Sequence, residues 1–295
     1  MLSLFAASLP LVVAVMQDPV TFKYDGKRGQ SNKVDLRSKF GIGFEGEEAS
    51  IDLVRGLSPL LSLEKAVFEG PATVEVTRAP RAAPLEIRVA FDSAKVSGSY
   101  DEEEYEYSFD KAKAADGLEQ DKLKAMLYTI FSAGGSYRLA KNGVVTDQDP
   151  NQDPAGEALS LILRPTPRFP DRALKVGETW ELEWESRTQE KDHKGRIKFK
   201  QTATFESLDG PRAVIVWKLE GKDNRDGKDS NGNVNEVKVK GEAKVTFDLE
   251  QGRVAAYEAS GEIRTVAKGE DPNSGTAFDL SIILKGESKM TPRPD

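Results

Sequence analysis

The sequence predicts a mainly β fold with some helix, in which long antiparallel strands form a curved sheet or half-barrel. Apolar and polar residues alternate over most of the chain, and this period of two is typical of strands with one buried face. The connections between these stretches are short or rich in Gly, Asp and Asn, as in turns between antiparallel strands. Two helices are also predicted, at about 117–132 and about 154–163.

Three strands are predicted in the first half of the chain. Apolar residues occupy even positions over 34–44 and odd positions over 85–91, and a third alternating stretch covers 105–109. The segment 51–68 fits a helix as well as a strand. We therefore expect residues 17–165 to form an N-terminal β-rich lobe that also contains the helices.

The second half, residues 166–295, is expected to form an antiparallel meander of six strands. Long strands must twist, so we expect a curved sheet and not a flat one. The proline-rich stretch 165–170 marks the boundary between the two halves, and the alternative is one continuous domain. The apolar residues that define the meander strands lie within 180–184, 197–205, 214–217, 237–249 and 278–284, with a further strand after the 250–253 turn.

Two helices are predicted between these halves. Over 117–132, Leu123, Met126, Leu127 and Ile130 follow the i, i+3, i+4, i+7 spacing of an amphipathic helix. Asp116 and Glu119 are spaced like the N-terminal capping box of that helix. The second helix is short and covers about 154–163. Its start is marked by Asp153 as N-cap and Pro154, and its end by Pro165.

The first residues predict export. Residues 1–14 are apolar apart from two Ser, and a run of this length fits a signal peptide with cleavage near 14–16. The alternative is a buried first strand or helix of the mature fold. Because no later stretch has the length of a membrane span, we expect a periplasmic or extracellular protein without a span in its mature form.

Composition excludes several functional classes. The chain has 42 Lys and Arg against 49 Asp and Glu, a formal net charge of −7, which argues against a nucleic-acid partner. It has no Cys, and its only His, His193, lies in a charged turn between two strands. Thiolate chemistry, disulfides and metal sites with two His are therefore excluded. We expect a protein that is not an enzyme and that has no cofactor.

Three further patterns are interpreted as structure. Gly41, Gly43 and Gly46 match a dinucleotide-binding loop, but Glu45 would stand where the phosphates bind, so we expect a bending strand or turn. The acidic run 101–107 predicts a solvated sheet edge, with cation contact or catalytic carboxylates as alternatives. The Asp- and Asn-rich stretch 223–233 lacks the ligand spacing of a calcium loop and predicts a hairpin loop.

Aromatic residues on the predicted strands are the only binding-site candidates. Under a curved sheet they would line an apolar pocket, and the alternative is that they fill the core. The candidate ligand-binding residues are Trp180, Trp184, Phe199, Trp217 and Phe247.

One segment carries a family resemblance. The stretch FPDRALKVGETW, residues 169–180, resembles the signature of the DUF6263-like proteins, an uncharacterised family of exported bacterial proteins. Residues 217–221 and the hairpin 241–253 are similar to that family as well, and the resemblance covers mainly residues 165–265. It implies a β-rich envelope or secreted protein without an assigned activity.

These observations predict an exported, non-catalytic protein that binds a hydrophobic or amphipathic ligand, such as a lipid, in the concavity of a curved sheet. The alternative is a structural or protein-interaction component of the bacterial cell envelope. An enzyme would have to be built from Asp, Glu, Tyr, Ser and Lys alone.

Overall fold

The computed structural model describes residues 18–57, 59–79, 84–113, 116–133, 135–145, 160–187, 196–223, 234–270 and 277–294. It is 64% strand and 11% helix, which confirms the mainly β class. The strands are β1 (Ser31–Gly46), β2 (Leu63–Arg78), β3 (Leu85–Phe91), β4 (Ser93–Tyr100), β5 (Glu103–Asp110), β6 (Gly135–Leu139), β7 (Thr179–Arg187), β8 (Arg196–Asp209), β9 (Arg212–Asp223), β10 (Val234–Asp248), β11 (Arg253–Glu270) and β12 (Ala277–Pro292).

These strands form one open antiparallel sheet with the order β5-β4-β2-β1-β12-β11-β10-β9-β8-β7. Strands β7 to β12 pair in chain order, as the alternation in the second half predicts. Strand β1 inserts between β2 and β12, so the hydrogen bonds of the sheet run without a break from the N-terminal strands into the C-terminal ones.

The sheet forks at β2. One edge of β2 pairs with β1, whereas the other edge pairs with β4 over 63–69 and with β3 over 72–78. Gly70 and Pro71 lie at the fork, where a Cβ on Gly70 would come within 2.2 Å of the Ser93 carbonyl oxygen. The Pro71 carbonyl accepts a 2.8 Å hydrogen bond from the Asp92 amide. Because proline has no N–H, it is suited to the position where the ladder divides.

Two helices stand beside the sheet, α1 (Glu48–Leu57) and α2 (Lys122–Ala133), with a short 3₁₀ helix at Pro59–Ser62. The ambiguous segment 51–68 thus contains a helix, a 3₁₀ turn and the start of β2. The expected start of α2 near 117 is wrong. Asp121 caps this helix, since its Oδ1 accepts a 2.8 Å hydrogen bond from the Lys124 amide. Of the expected helix over 154–163, residues 160–163 are helical and the others lie outside the described residues.

Apolar side chains form two clusters. The larger lies on one face of the sheet, here called the core face, and contains Trp217, Phe247 and Ile263. The smaller lies where α2 covers β2, β4 and β5, and it includes Leu127 and Phe131 of the helix. The opposite face of the sheet, here called the outer face, carries mostly charged side chains. Among the described residues, no helix is long and apolar enough to span a bilayer.

The turn between β4 and β5 holds two acidic residues in the left-handed region. Asp101 has φ 53° and Glu102 has φ 68°. Hairpin turns with two such positions prefer Asn-Gly, because glycine adopts positive φ without steric cost. We expect Glu102→Gly to raise the free energy of unfolding by about 1 kcal/mol in urea titrations. Glu104→Gly, in β5, is the matched control and should lower it. A loss of stability in Glu102→Gly would contradict this account of the turn.

Candidate functional site

A strap crosses the core face of the sheet. It consists of residues 160–174, which connect the N-terminal strands to β7 without joining the ladder of the sheet. Its prolines, Pro165, Pro167 and Pro170, explain this, because a proline nitrogen cannot donate to a strand. Phe169 of the strap stacks on Phe22 at 4.8 Å between ring centroids. Leu174 ends the strap with a two-way backbone bridge to Val20, with both N···O distances 2.8 Å.

Gln201 is the main polar anchor of the strap. It lies on the core face of β8 with no exposed surface. Its Oε1 accepts hydrogen bonds from the Arg168 amide and from Nε1 of Trp217, both at 2.9 Å. Its Nε2 donates to the Arg168 carbonyl at 2.8 Å, and Nε1 of Trp180 donates to the same carbonyl. The sheet therefore holds the strap through side chains that bind its backbone.

Two tyrosines anchor the strap on either side of residues 164–166. The Tyr257 hydroxyl donates to the Leu163 carbonyl at 3.0 Å, and the Tyr24 hydroxyl donates to the Pro167 carbonyl at 3.2 Å. Burial raises the pKa of both hydroxyls. Both groups therefore remain protonated donors at neutral pH.

A row of paired glycines lies on the core face, and two of its members contact the strap. Gly241, Gly261 and Gly286 are paired neighbours on β10, β11 and β12. A Cβ on Gly261 would lie 2.8 Å from Cδ1 of Ile162 and 2.5 Å from the Lys240 carbonyl oxygen. Ile162, fully buried, occupies the space beside Gly241 and Gly261, since a Cβ on Gly241 would lie 3.2 Å from its Cγ1.

The aromatic candidates from the sequence all line the core face. Trp180, Phe199, Trp217 and Phe247 are at most 4% exposed, and they pack in the same cluster as the strap. Trp184 is half-buried and stacks on Phe199 at 5.4 Å between centroids, with the Arg168 guanidinium 3.6 Å above its ring. The structure brings the five together as core, and their role in ligand binding stays a prediction.

A cleft opens beside the strap. Strands β2 and β3 form one wall with Val74, Val76, Ile87 and Val89, and residues 164–166 of the strap form the other wall. Met290, Val254 and Tyr257 also line it. The cleft has room for about 30 Å³ of water-sized atoms, and its walls are mostly aliphatic. We call this space the cleft.

A buried guanidinium lines the cleft. Arg253, at the start of β11, is 4% exposed. Its Nε and Nη2 donate to Oε1 of Gln251 at 2.9 and 2.6 Å, whereas its Nη1 has no hydrogen-bond partner among the described residues. Desolvation lowers the pKa of Arg253, against the opposing effect of Asp248, yet a guanidinium stays charged in proteins.

A second guanidinium comes from the strap. Arg164 lines the same cleft, with its guanidinium carbon 5.9 Å from the Tyr137 ring centroid. It fits against Gly135, where a Cβ would lie 1.7 Å from Nη1 of Arg164. Neither Arg164 nor Arg253 has an ion pair within the described ranges. Sequence reasoning missed both arginines, and only Gly252-Arg253, as part of a family-like hairpin, gave any signal.

The outer face carries a wider groove, here called the outer groove, of about 520 Å³. Basic and acidic side chains alternate along it and pair with one another. Lys244 lies 2.7 Å from Glu206, and Lys39 lies 2.9 Å from Glu287. The outer groove is therefore a surface of mixed charge, and many of its charged side chains already form ion pairs with one another.

The remaining sequence candidates lie away from the cleft. The acidic run occupies the β4–β5 turn and β5, an edge strand of the sheet, and its Glu106 pairs with Lys95 at 2.9 Å. Gly41 and Gly43 lie within β1, as the strand interpretation predicts, and Gly46 ends it. His193 and residues 224–233 lie outside the described residues. Within the described ranges, no three His, Asp or Glu side chains group closely enough to hold a metal ion.

Comparisons with protein-family models and with curated proteins give no match to this chain. The resemblance of residues 169–180 to the DUF6263-like family therefore stays a prediction. In the structure this stretch is the second part of the strap, the turn at Gly177 and the start of β7.

Proposed function

We propose that this is an exported, non-catalytic protein that binds an amphipathic ligand in the cleft between the strap and strands β2 and β3. The observation that carries the proposal is the lining of the cleft, where aliphatic walls meet a buried guanidinium that has an unpartnered Nη1. Apolar walls favour the hydrocarbon part of a ligand, and a few placed polar groups orient it.

The position of the cleft supports this choice over the aromatic concavity. The strap already fills the aromatic side of the core face, and Gln201 and the indoles fix its backbone there. Along residues 164–166, by contrast, the described residues outside the strap donate hydrogen bonds to its backbone only at either end, from Tyr257 and Tyr24. Since the cleft has room for only about 30 Å³, the proposal requires this stretch to shift between its two anchors when a ligand binds, which would leave the strand pairing intact.

Calorimetric titration with two straight-chain amphiphiles, decanoate and decanol, tests the proposal. Saturable one-to-one binding of at least one of them is expected. Val254→Phe places bulk in the cleft from a half-buried position and should weaken that binding about tenfold or more. Val176→Phe adds the same bulk at an exposed turn and should leave it unchanged. No binding, or equal binding by both variants, would overturn the proposal.

A second candidate function is a protein-interaction component of the cell envelope, and the outer groove favours it. Its size and its rows of charged side chains suit a polar partner surface. In that case, neither amphiphile binds the purified protein, and Val254→Phe leaves the binding of the partner protein unchanged.

A further inference from the structure

We infer that the cleft binds a carboxylate, so that the ligand is a monoanionic amphiphile whose head group contacts Arg253 and Arg164. This inference rests on the proposed function and specifies the chemical class of its ligand.

The first support is an uncompensated buried charge. Arg253 is more than nine-tenths buried, and it has no ion pair within the described part of the chain. A buried ion without a partner is costly, so an anion that enters the cleft gains the interaction that the protein leaves unmade.

The second support is the fixed orientation of the Arg253 guanidinium. Gln251 accepts from both Nε and Nη2, and Asn32 donates to the same Oε1 at 3.4 Å. The backbone N–H of Gln251 in turn donates to Oδ1 of Asp248 at 2.8 Å. This chain of hydrogen bonds holds one edge of the guanidinium and leaves Nη1 as the free donor.

The third support is the second guanidinium. Arg164 reaches the cleft from the strap, and Gly135 leaves the space that its head group occupies. Guanidinium groups match carboxylates in planarity and in the spacing of their donors. Two of them in an aliphatic cleft select a negatively charged head group over a neutral one.

The cleft must widen for the chain of such a ligand. Its present room of about 30 Å³ is enough for about two or three waters, so strap residues 164–166 would move away from β2 and β3 when the ligand enters. Val74, Val76, Ile87 and Val89 then provide the wall along which the hydrocarbon chain lies.

The test compares decanoate with decanol, which share a chain and differ in the head group. By calorimetry at neutral pH, the wild-type chain is expected to bind decanoate about tenfold or more tightly than decanol. Arg253→Met should abolish this preference and retain the binding of decanol. Arg212→Met removes an exposed arginine at the start of β9 and should keep the preference intact.

Equal affinity of the wild-type chain for both amphiphiles would overturn the inference and leave the proposed function standing. Failure of both to bind would overturn the proposed function itself. If Arg253→Met does not fold, as judged by circular dichroism, the same comparison of decanoate and decanol affinities is made with Arg164→Met, since Arg164 is only half-buried. An unchanged preference for decanoate in Arg164→Met would then contradict the assignment.

Discussion

Gln201→Leu is expected to lower the free energy of unfolding by about 3–5 kcal/mol. The leucine has a similar volume, but it removes three hydrogen bonds at once. The Arg168 amide and Nε1 of Trp217 are left buried without their acceptor, and the Arg168 carbonyl loses one of its two donors. Unpaired buried donors carry the full cost of desolvation, so the loss should exceed that of an ordinary core substitution. Urea unfolding followed by tryptophan fluorescence measures it.

Thr202→Val is the matched control for Gln201→Leu. Thr202 is the next residue of β8, on the outer face, where its hydroxyl donates to Glu181 at 3.3 Å. Its removal should change the free energy of unfolding by less than about 0.5 kcal/mol. Similar effects of the two substitutions would contradict the role of Gln201 as the anchor of the strap.

Gly261→Ala is expected to cost about 2–3 kcal/mol of stability. The added methyl group would lie 2.5 Å from the Lys240 carbonyl oxygen and 2.8 Å from Cδ1 of Ile162. Neither neighbour can move away easily, because the carbonyl belongs to the adjacent strand and Ile162 of the strap is fully buried. The strap must therefore move away from the sheet or the two strands must separate.

Gly43→Ala provides the comparison for Gly261→Ala. Gly43 lies in β1, and the nearest atom to a Cβ there is the Ile283 carbonyl oxygen at 3.9 Å. This substitution should be neutral or slightly stabilising, since alanine loses less backbone entropy than glycine. If Gly261→Ala and Gly43→Ala had the same free energy of unfolding, this would contradict the close packing of Ile162 on Gly261.

Strands with regular alternation were predictable, whereas β2, β4 and β6 were not. Alternation predicted β1, β3, β5, β7, β8, β10 and β12, because each presents apolar residues at every second position. Strand β9 was predicted from the consecutive apolar residues 214–217, and β11 from the turn at 250–253. Strand β2 was not predicted, because Ala66, Val67 and Phe68 are consecutive apolar residues and Gly70-Pro71 interrupts the alternation of apolar and polar residues. Strand β4 was not predicted, because its buried positions hold small residues such as Ala94 and Gly98, which give no clear alternation of apolar and polar residues.

The strap and the cleft depend on long-range contacts that a sequence pattern does not encode. The proline-rich stretch 165–170 was interpreted as a boundary between halves, with one continuous domain as the alternative, and in the structure it lies across the core face. The local signals were Gln201, a polar residue at an apolar position of β8, and the family-like hairpin that contains Arg253. Arg164 and Arg253 look like ordinary surface residues in the sequence, because burial of a charge follows from how distant segments meet.

Native mass spectrometry of the protein purified from the cells that produce it, followed by organic extraction, tests the central claim most directly. The proposed function predicts that the wild-type chain carries an amphipathic molecule, and that Val254→Phe purified in the same way carries none. The further inference adds that this molecule has one carboxylate. A wild-type chain that is free of any such molecule, in the same state as Val254→Phe, would contradict the assignment of the cleft as a ligand site.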